Sequence, residues 1–220
     1  MFLGHFGLAF AAKRLAPRTS LGMLLVGAQF ADLLWPLLLL AGVEQVRIQQ
    51  GATPFLDPVF VSYPYSHSLL TQCLFGLLLA ATYFVISRNA RGALVVGLLV
   101  PSHWVLDWLV HVPDLPLFPG DANKQGLGIW QSVPLTLACE FALFGAGLAI
   151  YVGATRALDR VGTWALASFV ALLVLLYVAT LFSGPPPIAA VLAWSALSLW
   201  LLPVWLHWSD RHRVPRVRAH

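Results

Sequence analysis

Histidines and carboxylates recur inside apolar segments of this sequence, where ionisable side chains are costly. The segment SHWVLDWLVH places His103, Asp107 and His111 at intervals of four residues. Four residues advance an α-helix by about 400°, so these three side chains share one helix face. A histidine and a carboxylate one turn apart can ligate the same metal ion, and the same spacing also suits a hydrogen bond within a helical bundle. The segment therefore predicts either a metal-binding face or a buried polar contact.

Further ionisable residues are expected at similar depths in other apolar segments. Asp32 and Glu140 fall near mid-span, and His67 and His5 fall nearer one side. These segments contain no Lys or Arg that would neutralise Asp32, Asp107 and Glu140. Buried carboxylates without a cationic partner must take up a proton or bind a cation. Because imidazole with carboxylate suits Zn²⁺, Fe²⁺ or Mn²⁺, the sequence predicts a divalent-metal site that uses three to five of these residues.

The elements that position these residues are predicted to be membrane helices. Of the 220 residues, 59% are hydrophobic and 10% are charged, whereas soluble domains carry about 25% charged residues. We predict an all-α fold, a multi-pass transmembrane helical bundle with about six full spans after a short apolar N-terminal helix at 2–12. Pro36 is expected to kink the first full span. The spans are predicted near 20–42, 66–87, 92–111, 129–153, 162–183 and 187–208.

The basic residues predict which side of the membrane each connection occupies. Of the 13 Lys and Arg residues, all but Arg47 and Lys124 fall in one alternating set of connections and in the tail. The positive-inside rule assigns that set, with the C-terminus, to the cytoplasm of a multi-pass protein of the cell (inner or plasma) membrane. Residues 1–153 are predicted to form a helical core with the metal site, and residues 154–220 two scaffold spans and a basic tail. The net charge of +4 thus reflects topology, and no nucleic-acid partner is expected.

Several motifs occur in an order that resembles a known family. An apolar N-terminal helix with His5 is followed by GAQFADLLWP, by the helix start YPYSHSLL and by SHWVLDWLVH, over about residues 1–145. This order resembles the bacterial inner-membrane, membrane-bound metal-dependent hydrolases, a group distantly similar to zinc-dependent phospholipases C. The resemblance implies metal ligands at His5, Asp32, His67, His103 and Asp107.

The chain departs from the pattern of that family at two places. Members often carry two aspartates where this chain has only Asp32, and often a histidine where it has Tyr63, Pro64 and Tyr65. These departures favour a single metal, or no hydrolase activity, over a multinuclear centre.

The resulting functional hypothesis is a metal-dependent hydrolase with its site in the outer half of the membrane. Asp32 or Glu140 would act as general base, and the substrate would be a lipid or a lipid-linked phosphate or ester. The cofactor would be a divalent ion, zinc before iron or manganese. Intramembrane Asp, Glu and His also form proton relays, so a proton-coupled transporter or permease stays an alternative. A non-catalytic structural membrane protein and a haem protein with His103 as axial ligand are further alternatives, and the sequence leaves the oligomeric state open.

Overall fold

The fold is a bundle of α-helices, as the sequence predicts. The computed structural model describes residues 1–49, 51, 53–56 and 58–216, so Arg218 of the predicted basic tail lies outside the described residues. The helices are α1 (Leu3–Leu15), α2 (Leu21–Ala28), α3 (Phe30–Leu40), α4 (Leu69–Ser87), α5 (Ala90–Val110), α6 (Val133–Ala154), α7 (Arg160–Thr180), α8 (Ala189–Leu197) and α9 (Leu201–Arg211). Two short antiparallel ladders join β1 (Gln45–Ile48) to β2 (Pro58–Ser62) and β3 (Thr155–Ala157) to β4 (Arg213–Pro215).

Five of the helical segments in the described residues are long and apolar enough to cross a membrane. They are α4, α5, α6, α7 and the segment Ala189–Arg211, in which a single 3-10 turn joins α8 to α9. The bent pair of α2 and α3 gives a sixth span if it is counted as one. With 13 residues, α1 is too short to cross on its own, as predicted.

The bend between α2 and α3 lies at Gln29, and α3 continues through Pro36. The axes of the two helices differ by 59°. A break leaves the last carbonyls of a helix without partners inside that helix, and the carbonyl of Ala28 accepts a hydrogen bond from His103 Nδ1. A helix break at membrane depth is tolerated where protein surrounds it. The 59° bend of this pair thus lies at Gln29, beside the polar residues, where a buried side chain satisfies the backbone.

Helix α1 is inserted into the bundle and packs closely against α6. A Cβ atom added to Gly147 would lie 1.9 Å from the carbonyl oxygen of Gly7, so both positions require glycine for this approach. One turn further along α1, the ring of Phe10 packs edge-on against Phe144 at 5.9 Å. This packing fixes α1 in the bundle and with it the position of His5, which is buried.

A buried ion pair holds the opposite end of α1. Lys13 Nζ donates to Asp210 Oδ2 at 2.5 Å and to the carbonyl of Thr19 at 2.8 Å. The Tyr151 hydroxyl donates to Asp210 Oδ1 at 2.9 Å, and the backbone N–H of Leu21 donates to Oδ2 at 3.0 Å. Asp210 therefore ties α1, α2, α6 and α9 together at the end of the bundle away from His5.

Candidate metal centre

Four elements bring the five sequence-predicted ligands together at one end of the bundle. His5 comes from α1, Asp32 from α3, His67 from the turn before α4, and His103 and Asp107 from α5. Two groups of three, His5 with His103 and Asp107 and Asp32 with His67 and His103, offer ligand atoms within 4.8 Å of one another. The three histidines and Asp107 are buried, while 25% of the Asp32 side chain is exposed. This buried His/Asp group could hold a metal ion.

Four of these residues, called here the quartet, are linked by short nitrogen–oxygen distances: Asp32, His67, His103 and Asp107. His103 Nε2 lies 3.0 Å from Asp107 Oδ2 and 3.7 Å from Asp32 Oδ1. His67 Nε2 lies 3.5 Å from Asp32 Oδ1 and 3.9 Å from Asp107 Oδ2. Four ligand atoms at bond lengths of 2.0–2.1 Å around a tetrahedral ion are about 3.3 Å apart. The four nitrogen–oxygen distances within the quartet, 3.0–3.9 Å, lie around this value.

The hydrogen bond to Ala28 shows that Nδ1 of His103 carries a proton. Nδ1 lies 2.8 Å from the carbonyl oxygen of Ala28, and because a carbonyl only accepts, Nδ1 is the donor. A neutral imidazole then has its lone pair on Nε2, which is buried and makes no hydrogen bond within the described residues. This lone pair faces the carboxylates of Asp107 and Asp32. Such an arrangement is stabilised by a proton on Nε2 or by a cation between the groups, and a metal ion could supply that positive charge.

His67 is oriented by two residues that sequence reasoning missed, Ser66 and Glu44. Ser66 Oγ lies 2.6 Å from Glu44 Oε2 and 2.7 Å from His67 Nδ1. The carboxylate only accepts, so the hydroxyl donates to Glu44 and accepts from the Nδ1–H of His67, leaving the Nε2 lone pair toward the quartet. Glu44 also accepts the backbone N–H groups of Tyr65 and Ser66 at 2.9 and 2.8 Å. The Ser-His-Ser motif marks Ser66 in the sequence, whereas Glu44 lies in a distant loop and has no comparable signal.

Asp107 also contacts His5 through its second oxygen. His5 Nε2 lies 3.0 Å from Asp107 Oδ1, and the amino group of Met1 donates to the same oxygen. The ring of His5 stacks on the ring of His103 with centroids 3.7 Å apart and planes 6° apart. Asp107 therefore presents Oδ2 to the quartet and Oδ1 to His5. His5 thus contacts two members of the quartet, with a polar contact to Asp107 and ring stacking on His103.

Glu140, the other predicted base, holds the beginning of α1. Its two carboxylate oxygens accept the backbone N–H groups of Phe2 and Gly4, both at 2.8 Å. The first N–H groups of a helix have no partners inside it, and negative charge is favourable there. Glu140 thereby positions the helix turn that carries His5.

A cavity of about 290 Å³ reaches three members of the quartet. Phe55 and Trp130 line it from the loops, Glu140 lines it from α6, and Leu176 and Tyr177 line it from α7. Although α7 belongs to the segment predicted as scaffold, it supplies part of this wall. The Tyr177 hydroxyl is buried and makes no hydrogen bond within the described residues. The cavity therefore offers a small molecule an aromatic wall and access to the quartet.

Comparisons with known proteins leave the family of this chain open. No family model matches it, and no match is found among curated proteins or solved structures. The geometry of the site therefore carries the functional assignment.

Proposed function

We propose that this chain is a membrane-embedded hydrolase that depends on one divalent metal ion. The observation that carries the proposal is that Nε2 of His67 and Nε2 of His103 lie 3.0–3.9 Å from carboxylate oxygens of Asp32 and Asp107, and that no Lys or Arg among the described residues pairs with these two carboxylates. His67, His103 and Asp107 would hold the ion. Zinc fits this donor set first, and iron or manganese accept the same donors. The motif resemblance to membrane-bound metal-dependent hydrolases supports the same assignment.

Asp32 is assigned the role of general base. A catalytic zinc site keeps one position open beside three protein ligands, whereas a structural site is closed by four. Asp32 is the partly exposed member of the quartet, and it lines the cavity. A divalent ion in the site supplies Lewis acidity, polarising a carbonyl or phosphoryl oxygen and making water more acidic. Asp32 would take the proton from the attacking water, and Glu140, at the cavity wall, stands as the second candidate base.

The substrate class proposed is a lipid or a lipid-linked phosphate or ester. The walls of the cavity include Phe55, Leu176 and Tyr177, which suit an apolar group next to the reacting atoms. A membrane-embedded site with an apolar wall favours a substrate that enters from the bilayer.

The core on the far side of the quartet argues against a proton-coupled transporter. Between the level of His5 and the level of Lys13, the interior contains apolar side chains such as Phe10, Leu24 and Val96, all buried. His5 and Lys13 are eight residues apart on α1, which corresponds to about 12 Å. A proton relay needs polar groups or water along that distance. The core positions named above are apolar and supply no such polar group.

Hydrolysis of defined lipids tests the proposed reaction. The purified protein would be stripped with a chelator, reloaded with Zn²⁺, Mn²⁺ or Fe²⁺, and assayed in mixed micelles. The probes would be a lipid phosphomonoester, a lipid phosphodiester and a carboxylic ester. We expect turnover of one probe class that needs the added metal and disappears in His103→Ala. Asp32→Asn should keep its metal and lose turnover by about 10²–10⁴-fold, the usual contribution of a general base.

The control is His207→Ala, since His207 is an exposed histidine on α9 outside the site. It should retain both metal and turnover. A protein that binds metal stoichiometrically but turns over none of the probes with any ion would contradict the hydrolase assignment and leave a structural metal site.

A further inference from the structure

The end of the bundle opposite the metal centre carries positive charge that acidic residues do not neutralise. Asp210 already accepts from Lys13 and Tyr151. Asp159 pairs with His212, and this hydrogen bond lowers the pKa of the Asp159 carboxyl below its usual value. Throughout the part of the chain that the structure describes, no arginine forms a salt bridge. The described arginines at this end are therefore not neutralised by a carboxylate.

Three of these arginines line one cavity of about 820 Å³. Arg14 lies at the end of α1, Arg91 at the start of α5, and Arg216 directly after β4. Arg216 Nε donates to the carbonyl of Thr155 at 3.0 Å, which orients its guanidinium and leaves the terminal N–H groups free. Guanidinium groups match the oxygens of a phosphate with paired hydrogen bonds. The cavity has the charge and the donors to bind a phosphate group.

An apolar groove of about 400 Å³ adjoins this cavity on the surface of the bundle. The groove runs between α1 and α5, where Leu8 and Ala11 face Leu98. Leu15 and Ile150, together with Arg14, line both the groove and the basic cavity. From Leu8 to Leu15 the groove follows α1 for seven residues, or about 10 Å. A basic cavity that opens into an apolar groove matches a molecule with an anionic head and a hydrocarbon chain.

We propose that Arg14, Arg91 and Arg216 bind the phosphate of an anionic membrane phospholipid, one acyl chain of which lies in the groove between α1 and α5. The site lies at the end that the basic residues predict to be cytoplasmic, where anionic lipids attract basic clusters. A free phosphate would satisfy the arginines but would leave the groove unused. The groove is therefore the observation that favours a lipid source for the phosphate. The site is separate from the metal centre, so its lipid is a bound structural or regulatory component rather than the substrate.

Native mass spectrometry of the full chain in detergent tests this proposal. Phosphatidylglycerol and phosphatidylcholine with identical acyl chains would be titrated in parallel. We expect tighter binding of phosphatidylglycerol and about 30-fold weaker binding of it by Arg14→Gln/Arg91→Gln, at about fivefold for each arginine that contacts the phosphate. The control is Arg160→Gln/Arg211→Gln, which removes two exposed arginines at the same end that do not line the cavity. The control should bind phosphatidylglycerol as the unmodified chain does.

Two further arms distinguish a lipid from free phosphate. Ala11→Phe narrows the groove without changing charge and should weaken phosphatidylglycerol binding, and millimolar inorganic phosphate should not displace the lipid. Displacement by phosphate together with full lipid binding by Ala11→Phe would overturn the lipid assignment. Equal binding of the two lipids, or equal affinity in the double variant and its control, would overturn the site itself. If the double variant does not fold, the single variants Arg14→Gln and Arg91→Gln give the same comparison, each about fivefold. The metal content of the protein should be unchanged in all of these arginine and Ala11 variants.

Discussion

Ser66→Ala tests how much the hydrogen bonds from Ser66 to His67 and Glu44 contribute to metal affinity. The hydroxyl that it removes accepts from His67 Nδ1 at 2.7 Å and donates to Glu44 Oε2 at 2.6 Å. Glu44 keeps two backbone N–H donors, so it is not left unsatisfied. His67 instead loses the acceptor of its buried Nδ1–H, and an unsatisfied buried donor costs about 1–3 kcal/mol. Because metal binding requires that tautomer, the cost falls on the metal-bound state.

We therefore expect Ser66→Ala to weaken metal binding by about 10–100-fold, or about 1.4–2.7 kcal/mol of binding free energy. The assay is a Zn²⁺ titration of detergent-purified protein in competition with a chromophoric chelator. Ser68→Ala is a matched control, since the Ser68 side chain caps α4 by accepting from the backbone N–H of Thr71 and makes no hydrogen bond to His67 within the described residues. It should cost about 1 kcal/mol of stability and leave Zn²⁺ affinity unchanged. Equal Zn²⁺ affinity in Ser66→Ala and the unmodified chain, or equal losses in the two serine variants, would refute the reasoning.

Three further expectations concern the packing that positions the site. Glu140→Gln weakens the hydrogen bonds at the start of α1 and should lower the free energy of unfolding by about 1–3 kcal/mol, which thermal unfolding in detergent measures, while metal still binds. Gly147→Ala brings a Cβ atom against the backbone of α1 and should destabilise by about 1–3 kcal/mol; Gly145→Ala, which meets nothing within 4 Å, should not, and equal effects would contradict the close packing. Lys13→Met leaves Asp210 buried without its cation and should cost about 3–5 kcal/mol, with partial recovery in Lys13→Met/Asp210→Asn; no recovery would count against the ion pair as the cause.

The helical bundle and the meeting of the polar residues were predictable from the sequence. Length and hydropathy determine the long helices, and the spacing of His103 and Asp107 places both on one face of α5. The depth of Asp32 and His67 in their segments follows from the rise per residue. The predicted depths therefore indicated that these residues lie at similar levels, and the packing of the helices places them close together.

Other features depend on tertiary contacts that no local pattern encodes. The break at Gln29 is stabilised by His103, which lies far along the chain from the Ala28 carbonyl that it satisfies. Glu44 reaches His67 only through the fold of a loop and the Ser66 hydroxyl. Hydropathy indicates where a span begins and ends, but such pairings are set by the packing of distant segments.

Metal content of the purified protein, measured by elemental mass spectrometry, tests the central claim most directly. The unmodified chain and His207→Ala should each carry close to one equivalent of zinc, iron or manganese, and His103→Ala and Asp107→Ala should carry none. Absence of metal from the unmodified chain even after reconstitution, or retention of metal by both site variants, would contradict the assignment of the quartet as a metal site.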